Sequence, residues 1–216
     1  MVIFCEVIAA IVLFIYSSFF EWFVHRYFMH TPRFPLKDAF RGHTLIHHQQ
    51  YRDQSFSVQP GEPMTNVMLR WYAFPAMILG HMSIFALFQW ATGLPIFWGA
   101  SLGCTLYFTG YEYTHYLMHV PKGHFVERFG WYQFLLNHHR LHHKYMLRNL
   151  NVFVPIADIC FGILLCINDN LIAKPDLFTQ LTARNSFQGG WRKFYRRAAG
   201  LVGPPRLLSR SPSPLA

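Results

Sequence analysis

Histidine is the residue type that marks this sequence. Its 13 copies outnumber the 10 carboxylates, and 12 of them fall in two windows, five between residues 25 and 48 and seven between 115 and 143. They form four boxes: H-R-Y-F-M-H (His25, His30), H-T-L-I-H-H (His43, His47, His48), H-Y-L-M-H (His115, His119) and H-H-R-L-H-H (His138, His139, His142, His143). Imidazole is a common ligand for transition metals, and helix residues three or four apart share a face. His115 with His119, His43 with His47, and His139 with His142 and His143 can therefore each grip one metal from a single side. The His25 to His30 step is wider, about 140° on an ideal helix, and suits a helix end or two ligands for different metals.

One residue for each repeated position gives ten candidate ligands: His25, His30, His43, His47, His48, His115, His119, His139, His142 and His143. Ten ligands suggest two metals with five each. A six-coordinate ion held five times keeps a position for dioxygen or a substrate oxygen, whereas a closed structural zinc takes four ligands. Imidazole suits iron, zinc, copper and nickel, so ligand type leaves the metal open. His138 duplicates its neighbour and His124 follows Pro121-Lys122-Gly123, which makes both supporting or surface groups. Glu112, three residues before His115, is expected to take the second ring N–H of a ligand histidine and fix its orientation, with Asp158 as a weaker candidate for such a role.

The elements that must position these residues are apolar helices. Of 216 residues 52% are hydrophobic and only 13% charged, roughly half the charge of a soluble domain. The first 24 residues are apolar except Glu6, Ser17, Ser18 and Glu21, and they lack the basic start and small-residue cleavage site of a signal peptide; they read as a retained membrane span. From Trp71 to Tyr111 run 41 residues without Asp, Glu, Lys or Arg, broken near the middle by Ala91-Thr92-Gly93-Leu94-Pro95, which predicts two spans joined by a tight turn. Val152 to Ile167 is a shorter apolar run holding Pro155 and Asp158, predicted to be interfacial or re-entrant. His81 falls about 16 Å inside the second span by helix rise, out of reach of the boxes, and is expected to be a buried, hydrogen-bonded histidine. The expected fold is all-α, with three spans, a fourth short or re-entrant segment, and a histidine-rich helical cap. Residues 1–171 form the membrane domain and 172–216 a basic, poorly ordered tail.

The formal charge of +9 raises the question of a nucleic-acid partner, and its distribution answers against one. No Lys or Arg precedes Arg26, none lies between Arg70 and Lys122, and eight of the 19 fall in the last 43 residues. With three spans all 19 lie on one side, which the positive-inside rule makes the cytoplasm, together with both histidine windows. Cys5, Cys104, Cys160 and Cys166 sit in apolar stretches without a C-x-x-C pair and read as buried filler. The sequence contains no Gly-rich phosphate loop, no H-E-x-x-H and no G-x-S-x-G, so nucleotide binding and serine hydrolysis have no support.

The boxes, in this order over residues 20 to 168, with the stretch Asn149-Leu150-Asn151-Val152-Phe153-Val154-Pro155-Ile156-Ala157-Asp158 after the last one, resemble the fatty acid hydroxylase and sterol desaturase superfamily of membrane non-haem diiron oxygenases. The resemblance implies that the histidines hold two iron ions, that dioxygen is the co-substrate, and that a C–H bond of a lipid drawn from the bilayer is hydroxylated or desaturated. Zinc in isolated protein is compatible with an all-imidazole site. Two departures stand out. His43 and His47 are separated by three residues where many members have two, and there is no fused cytochrome b5 module, so a separate carrier, cytochrome b5-like or ferredoxin-like, is expected to deliver electrons. Carotenoid hydroxylation is the nearest alternative within the enzyme class. A metal-binding membrane protein or carrier without oxidative chemistry is the rival from another class, and it would place ligands near the bilayer midplane rather than at helix ends. A plain membrane anchor accounts for the basic tail and leaves twelve histidines unexplained.

Overall fold

The computed structural model describes residues 1–52, 56–121 and 123–164. The chain divides into two units, Met1–Cys166 and Ile167–Ala216, and the second lies outside the described residues, as do the expected tail at 172–216 and Cys166. Among the described residues every regular element is helical, so the all-α expectation holds.

The first apolar run forms α1 (Val2–Val24), which continues without a break into a π-helical turn, His25–Met29. A second helical run is built the same way: α2 (Lys37–Phe40) passes into a π-helical stretch, Arg41–His47, and then into α3 (His48–Gln50). Next come α4 (Ala73–Thr92) and α5 (Phe97–His119), joined where the sequence places the turn. Gly93 ends α4 at φ 70°, a left-handed conformation that glycine adopts without Cβ strain. The Gln89 side-chain oxygen then accepts the N–H groups of Ile96 and Phe97 at 2.9 and 2.8 Å, capping the start of α5. A short 3-10 turn, Phe125–Arg128, leads into α6 (Gly130–Lys144), and α7 (Ile156–Cys160) follows.

Helix α5 is the central post, and it lies directly on α1. A Cβ added to Gly99 would stand 1.8 Å from the Glu6 carbonyl oxygen, and one added to Gly103 would stand 2.1 Å from that of Ala10. These two glycines, four residues apart, let the backbones touch, as small residues do between membrane helices. Ala9, Phe85, Ala100, Cys104, Tyr107 and Phe108 form the core among the long helices. Phe56, Tyr111, Leu117, Met118, Tyr132, Leu135, Leu136 and Val152 form a second core, around the last turns of α5 and the start of α6.

Two helices are long and apolar enough to cross a membrane, residues Val2–Met29 and Ala73–Thr92. The third expected span, α5, has 23 residues and is long enough. Its composition is less apolar for a structural reason: Gly99, Ser101, Gly103, Tyr107, Tyr111 and Thr114 are buried against neighbours, and Glu112, His115 and His119 occupy its final turns. The run expected to be interfacial or re-entrant contains only the five-residue α7, too short to cross, packed through Phe161 against Trp22 and Phe19 with ring centroids 4.4 and 5.9 Å apart. Cys104 is buried as expected, but Cys160 is exposed beside the outward-facing Ile159 and Phe161.

Candidate metal centre

All ten candidate histidines are buried, and four separate segments deliver them. The end of α1 brings His25 and His30, the second helical run brings His43, His47 and His48, the end of α5 brings His115 and His119, and α6 brings His139, His142 and His143. Their ring nitrogens collect into two groups. His25, His30, His43, His48 and His142 can each offer a nitrogen within 4.8 Å of all the others, and so can His47, His119, His139 and His143. His115 Nε2 stands 3.3 Å from His47 Nε2 and brings the second group to five.

The π-helical turns explain the membership. Their hydrogen bonds run from residue i+5 to residue i, which brings residues five apart onto one face. The His30 N–H donates to the His25 carbonyl at 3.0 Å and the His48 N–H to that of His43. The His25 and His30 rings therefore stack at 4.9 Å, and His43 meets His48 at 3.0 Å between Nε2 atoms. This decides one open expectation and corrects another. Of the two alternatives for His25 and His30, the helix end holds and both serve one group, whereas His43 and His47 separate into different groups instead of gripping a single ion. Similarly, α6 divides its ligands, sending His142 to the first group and His139 and His143 to the second.

Hydrogen bonds at the outer ring nitrogens fix the tautomers. Nδ1–H donates to a backbone carbonyl in His25 (Leu150), His47 (Asn66, 2.9 Å), His119 (Phe56, 2.7 Å), His142 (Arg148, 2.9 Å) and His143 (Tyr51, 2.7 Å). Thr44 donates its hydroxyl to the Met29 carbonyl at 2.6 Å, which leaves its oxygen to accept from His30 Nδ1 at 3.1 Å. A carbonyl only accepts, so each of these rings carries its proton outward and presents a bare Nε2 inward. His48 Nδ1 and His139 Nδ1 are buried without a partner among the described residues. Burial, and then repulsion between the rings, holds His30, His43, His48, His139, His142 and His143 well below the usual 6.5; in His47 the carbonyl of Asn66 opposes the same trend without reversing it. The rings are neutral at neutral pH.

Bare lone pairs facing one another are the test of whether a metal fits. His30 Nε2 and His142 Nε2 approach to 3.1 Å, as do His47 Nε2 and His143 Nε2, with no proton on either atom. Such pairs repel unless a cation lies between them. Across both groups the closest Nε2 separations are 2.7 to 3.3 Å. Adjacent ligands on a six-coordinate ion with bonds of about 2.1 Å are about 3.0 Å apart, so the donor set fits a metal in each group.

The supports differ from the sequence expectation. Glu112 accepts the Leu69 N–H at 3.3 Å, and no histidine ring contacts its carboxylate among the described residues. It faces the entry to α4, while His115, almost a full turn further along α5, faces the centre. Asp158 does act beneath the site, on backbone as much as on a ring. It accepts from Leu150 N–H at 3.0 Å and Asn151 N–H at 2.8 Å and pairs with His138 Nε2 at 3.0 Å, so it secures the segment whose Leu150 carbonyl holds His25. His138 is thus buried beside the ligands of α6 without joining them.

Glu21 is the support that the sequence reading missed. Buried in α1 one turn before His25, it accepts from Tyr107 hydroxyl at 2.5 Å, Val152 N–H at 2.5 Å and Asn151 Nδ2 at 3.1 Å, tying α1 and α5 to the same segment. Its signal was a carboxylate inside an apolar run at helical spacing from a box histidine. His81 lies where expected, buried among Phe20, Phe85 and Phe108, with Nδ1 donating to the Met77 carbonyl at 2.8 Å.

No curated protein and no solved structure matches the chain. The fatty acid hydroxylase family model matches residues 10–163, a stretch that includes all ten histidines, Glu21, and the Asn149 to Asp158 segment. On that match, which covers more than half of its 216 residues, the chain belongs to the fatty acid hydroxylase family.

Proposed function

We propose that this protein is a membrane-bound lipid oxygenase in which the two histidine groups each hold one iron ion, and that it hydroxylates or desaturates a lipid in lipid biosynthesis or modification. The observation that carries the reading is the convergence of ten neutral, buried imidazoles into two groups of five with Nε2 lone pairs facing one another. Bound iron would supply the activation of dioxygen and the oxidation of a C–H bond. The chain's own part is to hold ten rings in place, six of them in tautomers fixed by outer hydrogen bonds, keep them neutral and exclude water. Phe56 packs its ring 4.4 Å from that of His119, and Tyr111 lies 5.8 Å from His115, so apolar surface borders the second group where a hydrocarbon substrate would approach. Electrons come from a separate carrier drawn to the basic surface. In this reading α5 is the third crossing, the histidine side faces the cytoplasm, and the substrate enters laterally from the bilayer.

Metal analysis of protein isolated without chelators, coupled to lipid profiling of cells with and without expression, tests this. The expected result is close to two ions per chain and an expression-dependent lipid that is heavier by one oxygen or lighter by a hydrogen pair. Less than half an ion per chain after anaerobic preparation would refute the dimetal reading. A full metal complement with an unchanged lipid profile would favour a metal-binding protein without oxidative chemistry.

A further inference from the structure

The start of α6 carries a large apolar surface that the metal centre does not use. Phe125 opens the short 3-10 turn and Phe129 follows it, and Trp131 and Phe134 lie in the first two turns of α6; their exposures are 67, 40, 51 and 42%. On the opposite face of the same helix Tyr132, Leu135 and Leu136 are buried in the core. Further along, the exposed positions change character to Asn137, Arg140 and Lys144. An exposed cluster of four large aromatic residues is uncommon on a water-facing surface and marks an interaction site.

Its depth can be worked out along α5. Trp71, 87% exposed, stands just before the apolar span Ala73–Thr92, where a residue of this type occupies the membrane–water interface. Two residues earlier, the Leu69 N–H binds the Glu112 carboxylate, so Glu112 on α5 lies at that interfacial depth. The Tyr132 hydroxyl in turn donates to the Leu117 carbonyl at 2.9 Å, which pins the start of α6 to α5 five residues beyond Glu112. At 1.5 Å per residue this is about 8 Å, at the outer edge of the headgroup layer that borders the hydrocarbon core, from which large aromatic side chains reach inward. The charge pattern agrees. Arg128 sits over the Phe125 ring, 5.7 Å from its centroid, and Arg140, exposed further along, rests 5.3 Å from the centroid of the Phe56 ring, placing cations where lipid phosphates would lie.

We infer that Phe125, Phe129, Trp131 and Phe134 form a bilayer-anchoring surface that inserts into the headgroup layer on the histidine side, with Arg128 and Arg140 meeting lipid phosphates. The inference rests on the reading of α1 and α4 as membrane spans. It assigns to the chain a membrane contact that lies in the interface without crossing. By fixing α6, which supplies His139, His142 and His143, against the lipid surface, the anchor also holds the metal centre at a set height above the hydrocarbon.

Spin labels test this in the full chain with its native cysteines replaced, reconstituted in bilayers of phosphatidylcholine and phosphatidylglycerol. Labels go at Trp131→Cys and, as an independent position, Phe134→Cys, with Leu79→Cys in the middle of α4 as the control for the spans. Accessibility to dissolved oxygen and to a water-soluble nickel chelate is compared at each site. The anchor is supported if the 131 and 134 labels favour oxygen over nickel by several-fold, but less than the 79 label does. If 131 and 134 favour nickel while 79 favours oxygen, the anchor falls and the spans stand. If 79 also favours nickel, the span reading fails and the anchor with it. Protection of 131 and 134 from both reagents would mean that protein covers the surface, either residues beyond 164 or a second copy, and would overturn the proposal.

Discussion

Removing the Glu21 carboxylate should release one metal ion and leave the other. The carboxylate accepts from Tyr107, Val152 N–H and Asn151 Nδ2, and all three donor residues are fully buried. A buried donor left unpaired costs about 1–3 kcal/mol. Asn151 Nδ2 retains the Ser18 carbonyl at 2.8 Å, whereas Tyr107 falls back on a long 3.4 Å contact to the Val154 carbonyl. The Val152 N–H and the Tyr107 hydroxyl thus carry most of the loss, and Glu21→Ala should cost about 2–6 kcal/mol. Glu21→Gln keeps the shape but turns an NH2 group toward a donor, so it should cost about 1–3 kcal/mol. The effect on metal follows from position. Asn151 and Val152 adjoin Leu150, whose carbonyl orients His25, and loss of such support typically weakens a metal site about 10–100-fold. The group of His25, His30, His43, His48 and His142 should lose its ion first, with Glu21→Gln milder than Glu21→Ala, while the group of His47, His115, His119, His139 and His143 keeps its own. Metal titration by mass spectrometry of the intact protein resolves chains holding none, one or two ions. Equal loss from both groups would point to general unfolding, and full retention of both by folded Glu21→Ala would refute the argument.

His115→Ala and His142→Ala remove a ring from different groups and should each abolish turnover, whereas His81→Ala should cost about 1–3 kcal/mol of packing and leave metal content unchanged; activity and metal analysis of the three variants check this. The metal-free protein should lose stability as pH falls below 6.5, because the unfolded rings then bind protons that the folded rings, held well below that value, do not. The slope is up to about 1.4 kcal/mol per pH unit for each such histidine, and thermal melts between neutral and mildly acidic pH should show a falling midpoint with no comparable change above pH about 7. Asn149 has φ 52°, so Asn149→Ala should weaken the first metal group more than Asn149→Gly, although both lose the same amide; equal metal affinities would show that the left-handed turn is not under strain.

The histidine ligands were legible because chemistry limits what four such boxes can mean, yet their grouping was not. Spacing was read on an ideal α-helix, where five residues is the wrong step, and the π-helical turns at His25–Met29 and Arg41–His47 make it the right one. The turn at Gly93 and the depth of His81 followed from composition and helix rise. The third expected span was read from its freedom from charge, which holds to Tyr111, whereas its lower apolarity reflects buried glycine, serine and tyrosine. The carboxylates show the limit most plainly. Glu21 and Glu112 each precede a box histidine by about one turn of an apolar helix, and sequence offers no basis for preferring one. Only packing distinguishes them: Glu21 faces Tyr107 and the Asn151-Val152 segment, and Glu112 faces Leu69.

What most escaped the sequence is that the rings are oriented chiefly by backbone. Tyr51, Phe56, Asn66, Arg148 and Leu150 hold five of the ligands through carbonyl oxygens, which every residue possesses, so nothing in their side chains announces the task. Local conformation has to supply what residue identity does not. Between Arg148 and Leu150, Asn149 adopts a left-handed φ of 52°, and the carbonyls on its two sides reach His142 and His25, both in the first group. Asp158 then clamps the N–H groups of Leu150 and Asn151 from below, and Glu21 clamps that of Val152 from α1. Residues 148–152 therefore act as one rigid strap whose conformation, fixed by two buried carboxylates on different helices, determines where two metal ligands point.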